Sequence, residues 1–532
     1  MRRLFLRLAL PVALALSAAV VSPHMLAQQA AQTPALHAKT PKRLIIRNAM
    51  VIYGNTKPPY GPVDITIEDG LITRVGTAYD RANPGLMGTT GDAAKADAEI
   101  DATGKYVMPG IVNTHMHWHD ERGNVPLPVQ YERNLYLAAG VTTTREVGGD
   151  FTKSKQWQAD SNAHKIIAPR ILVYPFVSKG KTGRPDEIRA WIRDIKQKGA
   201  DGLKIIGMDR DQLEAILDEA RKQGLRTATH IAVEETTAKD YIELGVTSIE
   251  HFYGVADAAI DGIQNFPPDM NYGNEIHRFG RAGELYEQAN PDRLSRIIDT
   301  MIQHGTAWSP TLSIYEASRD VIRAQNQPWF RDYLHPTLEQ YFKPSLDNHG
   351  SYFLGWSSAQ EAHWRRQYRI WMDALREFGI KGGLITTGDD AGFIYSMYGF
   401  GIARELELQE EAGFHPLEVI EHATWNGARL LGMGDKLGKI REGYMADLVI
   451  VNGNPLENLR LLNPAGADVV TVNGKRVVNY AVGPYDKPVV QHVAGIEWTI
   501  KDGIPYHAPT LMREVKEMVD KGRAERAGKG AK

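Results

Sequence analysis

The residues Gly110-Ile111-Val112-Asn113-Thr114-His115-Met116-His117 combine types and spacing that could do chemistry. Apolar Tyr106, Val107 and Met108 run into them, so the stretch reads as a buried strand ending in two histidines. Alternate residues of a strand share a side, so His115 and His117 project together and Met116 faces away. Two converging imidazoles make half of a metal site, although two histidines satisfied by local hydrogen bonds have the same spacing. Further candidates follow: Lys204 in GLKII, His230 in RTATHI, His251 in TSIEHF, and Asp389-Asp390 after Gly388. Singly, each has an ordinary explanation, as a core histidine, a snorkelling lysine or a turn aspartate. Together they form a set, because each stands at the end of a strand-like run.

The elements that must position them repeat. From Ile111 onward, strand-like runs alternate with helical ones, which predicts a parallel α/β fold. The runs are 141–147, 170–177, 202–206, 226–231, 247–252, 306–313 and 384–387. With the His-x-His strand they make the set of a (β/α)8 TIM barrel, whose chemistry sits at the C-terminal strand ends. Helices are expected over 186–198, over 209–223 with Asp209 as cap, and over 234–244. The stretches 255–305 and 314–380 are too long for ordinary loops and rich in Trp, Tyr and Phe. They read as insertions forming a pocket wall or lid, with plain surface helices as the alternative.

β-like runs flank the barrel. Residues 43–53, 63–67 and 71–75 precede it, and 438–451 and 467–478 follow, the last with an Asn473-Gly474 turn. Such end pieces are expected to pair into a small β-sandwich domain built from both chain ends. The expected division is a signal peptide over 1–27, a mobile leader over 28–42, the sandwich over 43–110 and 435–500, the barrel over 111–434, and a helix with a frayed tail over 501–532.

Composition narrows the partners. The chain has 532 residues, 64 acidic against 62 basic, so nothing in its charge argues for nucleic acid or an anionic membrane surface. No cysteine is present, which excludes disulfides, thiolate ligands and a cysteine nucleophile. Arg2, Arg3 and Arg7 before the apolar residues 8–21 read as an export signal, general secretory or twin-arginine. No later stretch is long and apolar enough to span a bilayer. The expectation is an exported, periplasmic or secreted protein with a small-molecule or short-peptide substrate, self-association being left open.

These residues resemble the metal-dependent amidohydrolase superfamily. The likeness rests on Pro109-Gly110-x4-His115-Met116-His117, on Gly388-Asp389-Asp390-Ala391-Gly392 and on Gly438-Lys439-Ile440-x-Glu442-Gly443-x2-Ala446-Asp447-Leu448-Val449. Carried over by position, it implies two divalent metals, zinc first among them: one on His115, His117 and Asp390, the other on His230 and His251, with Lys204, carboxylated by CO2, bridging both. The family pattern selects Asp390 as the catalytic residue, general base and then acid, and leaves Asp389 as support behind it. The implied chemistry is attack by a metal-bridged hydroxide, the water pKa falling from ~15.7 towards ~7. Family deaminases carry a glutamate three residues after the fifth-strand histidine, where this chain has Val233. With Lys204, this favours a two-metal hydrolase. Residues 199–204 and 142–146 are most similar to the branch holding imidazolonepropionases and prolyl dipeptidases, which implies amide or peptide C–N cleavage. Cyclic amides, lactones and phosphoesters suit the same centre. An inactive binding protein on this fold and an exported solute-binding protein are the alternatives from other classes. Tyr253, His277 and Tyr395 are substrate-contact candidates, Tyr253 through a tetrahedral oxyanion. His119, Asp120 and Glu121 read as a solvated loop.

Overall fold

The computed structural model describes residues 33–77, 96–177, 183–262, 264–271, 273–478 and 481–530. The expected signal peptide and the start of the leader lie outside the described residues.

A ring of parallel segments forms the centre. Ile111–Met116 pairs with Val141–Val147, which pairs with Arg170–Tyr174. Pro175 interrupts the third run, since proline donates no ladder hydrogen bond. The chain resumes pairing at Phe176–Val177, beside Gly202–Ile206, followed by Arg226–His230, Ser248–Glu250 and Ala307–Ser309. The expected eighth strand is less regular than its sequence suggests, and carries one bridge, Ile385 to Trp308. It still bonds on both sides: Trp308 N donates to Leu384 O at 2.9 Å, and Thr114 N to Thr387 O at 2.9 Å. The last segment thus returns to the first, giving the α/β barrel with eight staves. Glycine allows the closest packing between staves. A Cβ on Gly202 would lie 2.3 Å from a Tyr174 ring carbon.

Both chain ends build a second layer. Leu448–Val451 lies antiparallel to Tyr106–Pro109, with Ile450 opposite Val107. That pair joins an eight-stranded sheet including Arg43–Val51, Tyr60–Glu68, Leu71–Thr77, Ile496–Lys501 and Ile504–His507. Leu44, Ile46, Ile65, Val107, Leu448 and Ile500 share its apolar core. The hairpin at Asn473-Gly474 does not join it; Ala467–Val472, Lys475–Val477 and Val489–Val493 form their own three-stranded sheet.

Three sequence expectations are corrected. The leader is held at its end: Ala38 N donates to Pro505 O at 2.8 Å, and His37 Nδ1 accepts from His507 N at 2.9 Å. The tail does not fray at Lys521, because the final helix runs over Ala508–Gly530. Its buried Leu511, Val515 and Val519 face the protein, and Arg523 and Arg526 bond to Arg331 O and Gln340 Oε1. The helix expected from residue 234 starts at Ala238, capped by Thr237 and Asp240, so Glu234 and Glu235 precede it.

Candidate metal centre

One cavity of about 270 Å³ opens at the C-terminal strand ends, and His115, His117, Lys204, His230, His251 and Asp390 all line it. His115 is the next-to-last residue of its strand and His117 follows it directly; His230 ends the fifth stave. Lys204 sits mid-strand, opposite Phe176, with its side chain buried.

Asp390 stands among the imidazoles. Its Oδ1 is 3.6 Å from His115 Nε2 and 3.2 Å from His117 Nε2, and its Oδ2 is 3.7 Å from His251 Nε2. Oδ1 is buried and makes no hydrogen bond. Two donors on one tetrahedral ion, each bonded at about 2.1 Å, are separated by roughly 3.4 Å. The observed spacings fit donors around a divalent cation, and an orphaned carboxylate oxygen is the group such a cation would satisfy. Donor atoms of His115, His251 and Asp390 lie within 4.8 Å of one another. This triad differs from the grouping the resemblance implies, where His117 joins His115 and Asp390, although His117 is nearer to Asp390 than either. The rings of His230 and His251 are 4.9 Å apart.

Protonation suits ligation. Burial drives His115, His230 and His251 well below the ordinary imidazole range, so each is neutral. Burial alone would raise Asp390, but His115, His117 and Lys204 hold it below the usual carboxylate value. Burial brings Lys204 down to about 8 against the opposing pull of Glu250 and Asp390. Beside the donors, burial raises Glu146 to about 7, and its Oε1 is 3.9 Å from His117 Nδ1.

The structure adds residues that sequence reasoning passed over. Glu250 Oε2 accepts from His115 Nδ1 at 2.6 Å, which puts the proton on Nδ1 and frees Nε2. Glu250 Oε1 accepts from Arg145 Nη2 at 2.8 Å. The signal was available: Arg145 and Glu250 are charges inside strand runs, and only mutual pairing makes them tolerable in a barrel interior. His119 is not part of a solvated loop. It lines the cavity, and its Nδ1 is 2.8 Å from Tyr398 OH. Asp389 turns away, accepting from Asn113 Nδ2 at 2.7 Å and Tyr136 OH at 3.1 Å.

The substrate-contact candidates fall unevenly. Tyr253 stacks behind His230, centroids 5.3 Å apart, and lines a small side cavity. His277 accepts from Asn271 N at 3.3 Å and is outside the main cavity's lining, as is Tyr395, which bonds Gln325 at 2.8 Å. Their neighbours Arg278, Phe279, Phe393 and Ile394 line it instead, with Tyr315, His349 and Tyr352. Both long insertions therefore contribute to the pocket wall.

Comparison with known proteins agrees with this geometry. The Amidohydrolase family model matches residues 106–477, more than half of the chain. The chain belongs to the amidohydrolase family. Members of this family are generally metal-dependent, in keeping with the donor set. Ochratoxinase of Aspergillus niger is 38% identical over 85 residues, which span 15% of this chain and 18% of that protein. The match thus covers less than a fifth of that relative's length. Among solved structures, a Xaa-Pro dipeptidase with bound methionine in its active site superposes with a TM-score of 0.58 at 20% identity, covering 87% of this chain and 100% of the other. Bottromycin amidohydrolase gives 0.60 at 17% identity, covering 91% and 92%. At these identities the structural likeness speaks for the fold.

Proposed function

We propose that this amidohydrolase is an exported two-metal hydrolase that cleaves an amide or peptide C–N bond in a small substrate. The observation that carries the proposal is the convergence of four histidines, one lysine and Asp390 on one cavity. The names of similar proteins, a dipeptidase and an ochratoxinase, favour a dipeptide or another small amide. The export reading rests on Arg2, Arg3, Arg7 and the apolar residues 8–21.

The chain's own groups divide the work. His115, His117 and Asp390 would hold one ion, His230 and His251 the other. Lys204 would bridge them as a carbamate, its neutral amine adding to CO2 with loss of one proton to give the anion. Burial favours this addition by moving Lys204 towards the neutral amine. Bound divalent ions, zinc being well suited to histidine and carboxylate donors, supply Lewis acidity that lowers the pKa of water from ~15.7 towards ~7. Asp390, held ionised by its imidazole neighbours, would accept the proton of the attacking water with the carboxylate oxygen that is not engaged by the ion. It then returns that proton to the leaving nitrogen, so the amine departs neutral. Glu250 keeps the His115 proton on Nδ1 throughout.

Elemental analysis of purified protein, wild type beside Lys204→Ala, tests this. About two metals per chain by the two-ion template, falling clearly in the variant, is the expected result. A metal content that Lys204→Ala leaves unchanged removes the carbamate bridge. No metal after reconstitution favours a binding protein on this fold.

A further inference from the structure

The main cavity also contains groups that the hydrolytic chemistry leaves unused. Arg122 and Arg278 both line it. Arg122 belongs to the short segment Glu121–Arg122 just past the His-x-His strand, and Arg278 to the helix Glu275–Gly280 in the first insertion. Two segments far apart in sequence thus each contribute an arginine to the wall of one cavity. Neither guanidinium has an ion-pair partner among the described residues. Arg122 Nε and Nη2 are buried without a hydrogen bond, as is Arg278 Nε. Each cation rests on an aromatic ring, Arg122 4.0 Å over Tyr341 and Arg278 4.3 Å over Phe279.

Carboxylates lie near both, Glu132 feeling the charge of Arg122 and Glu275 that of Arg278, but none forms an ion pair with either among the described residues. Glu275 is engaged with His349 Nδ1 at 3.0 Å and with Gly350 N at 2.5 Å. Asp257 shares the side cavity with Arg278, yet its Oδ2 is taken by Gly254 N at 2.6 Å and Tyr286 OH at 3.1 Å. A buried donor left unsatisfied is destabilising, and more so when it is charged. Two such cations beside one cavity are what an anionic ligand group would satisfy, and a guanidinium fork matches a carboxylate in shape and charge. Phe279, Phe393 and Tyr352 line the same cavity and give it an aromatic face.

We infer that Arg122 and Arg278 determine specificity by binding a free carboxylate on the substrate, whose apolar part packs on the aromatic wall. The inference rests on the amide-hydrolase proposal and narrows it to acidic amides, such as dipeptides and N-acyl amino acids with an uncapped carboxyl. A lactone or neutral cyclic amide would leave both cations without a partner.

The test compares N-acetyl-L-phenylalanine with its carboxamide as substrates of the metal-loaded enzyme, for wild type, Arg122→Gln, Arg278→Gln and Arg278→Lys. Binding of 3-phenylpropionate against 3-phenylpropanol is measured calorimetrically alongside, as a readout independent of turnover. Each charged hydrogen bond contributes about 1.5–3 kcal/mol, so each Gln variant should lose about 10- to 100-fold of the preference for the acid. The loss should fall on KM rather than kcat, with metal content and thermal midpoint retained and Arg278→Lys intermediate. Equal kcat/KM for acid and carboxamide in the wild type overturns the inference. So does a preference that both Gln variants leave intact. If neither compound is cleaved, the amide-hydrolase proposal fails for this class, and the probes still decide: arginine-dependent retention of phenylpropionate keeps the inference, and arginine-independent or absent binding sinks it.

Discussion

Replacing Glu250 with glutamine separates the two tasks of this buried carboxylate. Oε2 accepts from His115 Nδ1 at 2.6 Å, whereas Oε1 accepts from Arg145 Nη2 at 2.8 Å and Ser248 Oγ at 2.6 Å. Glutamine keeps a single acceptor oxygen. If that oxygen stays on Arg145, the amide NH2 meets His115 Nδ1 and moves the imidazole proton to Nε2, the atom facing Asp390. If it turns to His115, the NH2 meets a guanidinium that has no other ion pair among the described residues. Breaking one member of a buried pair costs about 3–5 kcal/mol, and losing the partner of a ligand histidine weakens metal affinity about 10- to 100-fold. Denaturant unfolding of metal-free protein and chelator competition on loaded protein measure the two effects. Glu250→Gln with Arg145→Met removes both charges, and should regain stability without regaining metal affinity. A single variant that unfolds and binds metal like wild type would refute the assignment of Glu250 as the group that orients His115.

Two further predictions concern packing and pH. A Cβ at position 388 would sit 2.6 Å from His115 Cβ and 2.9 Å from its backbone N, so Gly388→Ala should displace His115. The expected cost is about 1–3 kcal/mol with a fall in bound metal, read by thermal melts and elemental analysis; unchanged metal content contradicts it. Glu405 is buried, and burial raises its carboxyl from 4.5 to about 8 against the donors Ser313 and Gln409. The folded state therefore binds this proton more tightly than the unfolded chain. Its contribution to stability is full below pH 4.5 and is lost as pH rises towards 8. Glu405→Gln removes this loss, on the order of 4 kcal/mol by pH 8, so parallel pH profiles of wild type and variant between pH 5 and 8 would refute it.

The barrel and most of its donors were legible because their signals are local. A histidine pair at a strand end and the Gly388-Asp389-Asp390 turn can be read from neighbouring residues alone. The pairing of residues 438–451 with the lead-in follows from chain ends lying together, and Leu448–Val451 beside Tyr106–Pro109 shows it. The pocket wall was not legible in this way. His277 and Arg278 are adjacent, and helix phase decides which one reaches the cavity; phase is lost when a six-residue helix floats in a long insertion. Aromatic Tyr395 drew attention where its neighbours Phe393 and Ile394 form the lining. Arg122 carries no motif at all, and its meaning comes from Arg278, more than a hundred residues away in sequence.

Backbone strain is the remaining feature that sequence pattern hides. His251 has φ 64° and Asp390 φ 46°, left-handed conformations that L side chains rarely adopt. Each costs on the order of 1–2 kcal/mol. Thr311, whose Oγ1 is 2.5 Å from His251 Nδ1, is left-handed too, at φ 49°. The surrounding ladder holds them there: His251 N donates to Ser309 O at 3.0 Å, and Asp390 N to His115 O at 2.9 Å. A strand continued in regular geometry would carry the next side chain up or down the barrel wall. The left-handed turn swings it across the mouth, so that His251 meets Asp390 and His115. Stability alone would favour relaxed backbone at these positions. Their strain is explained if the carboxylate and imidazoles are held in place for a ligand that the chain itself does not supply.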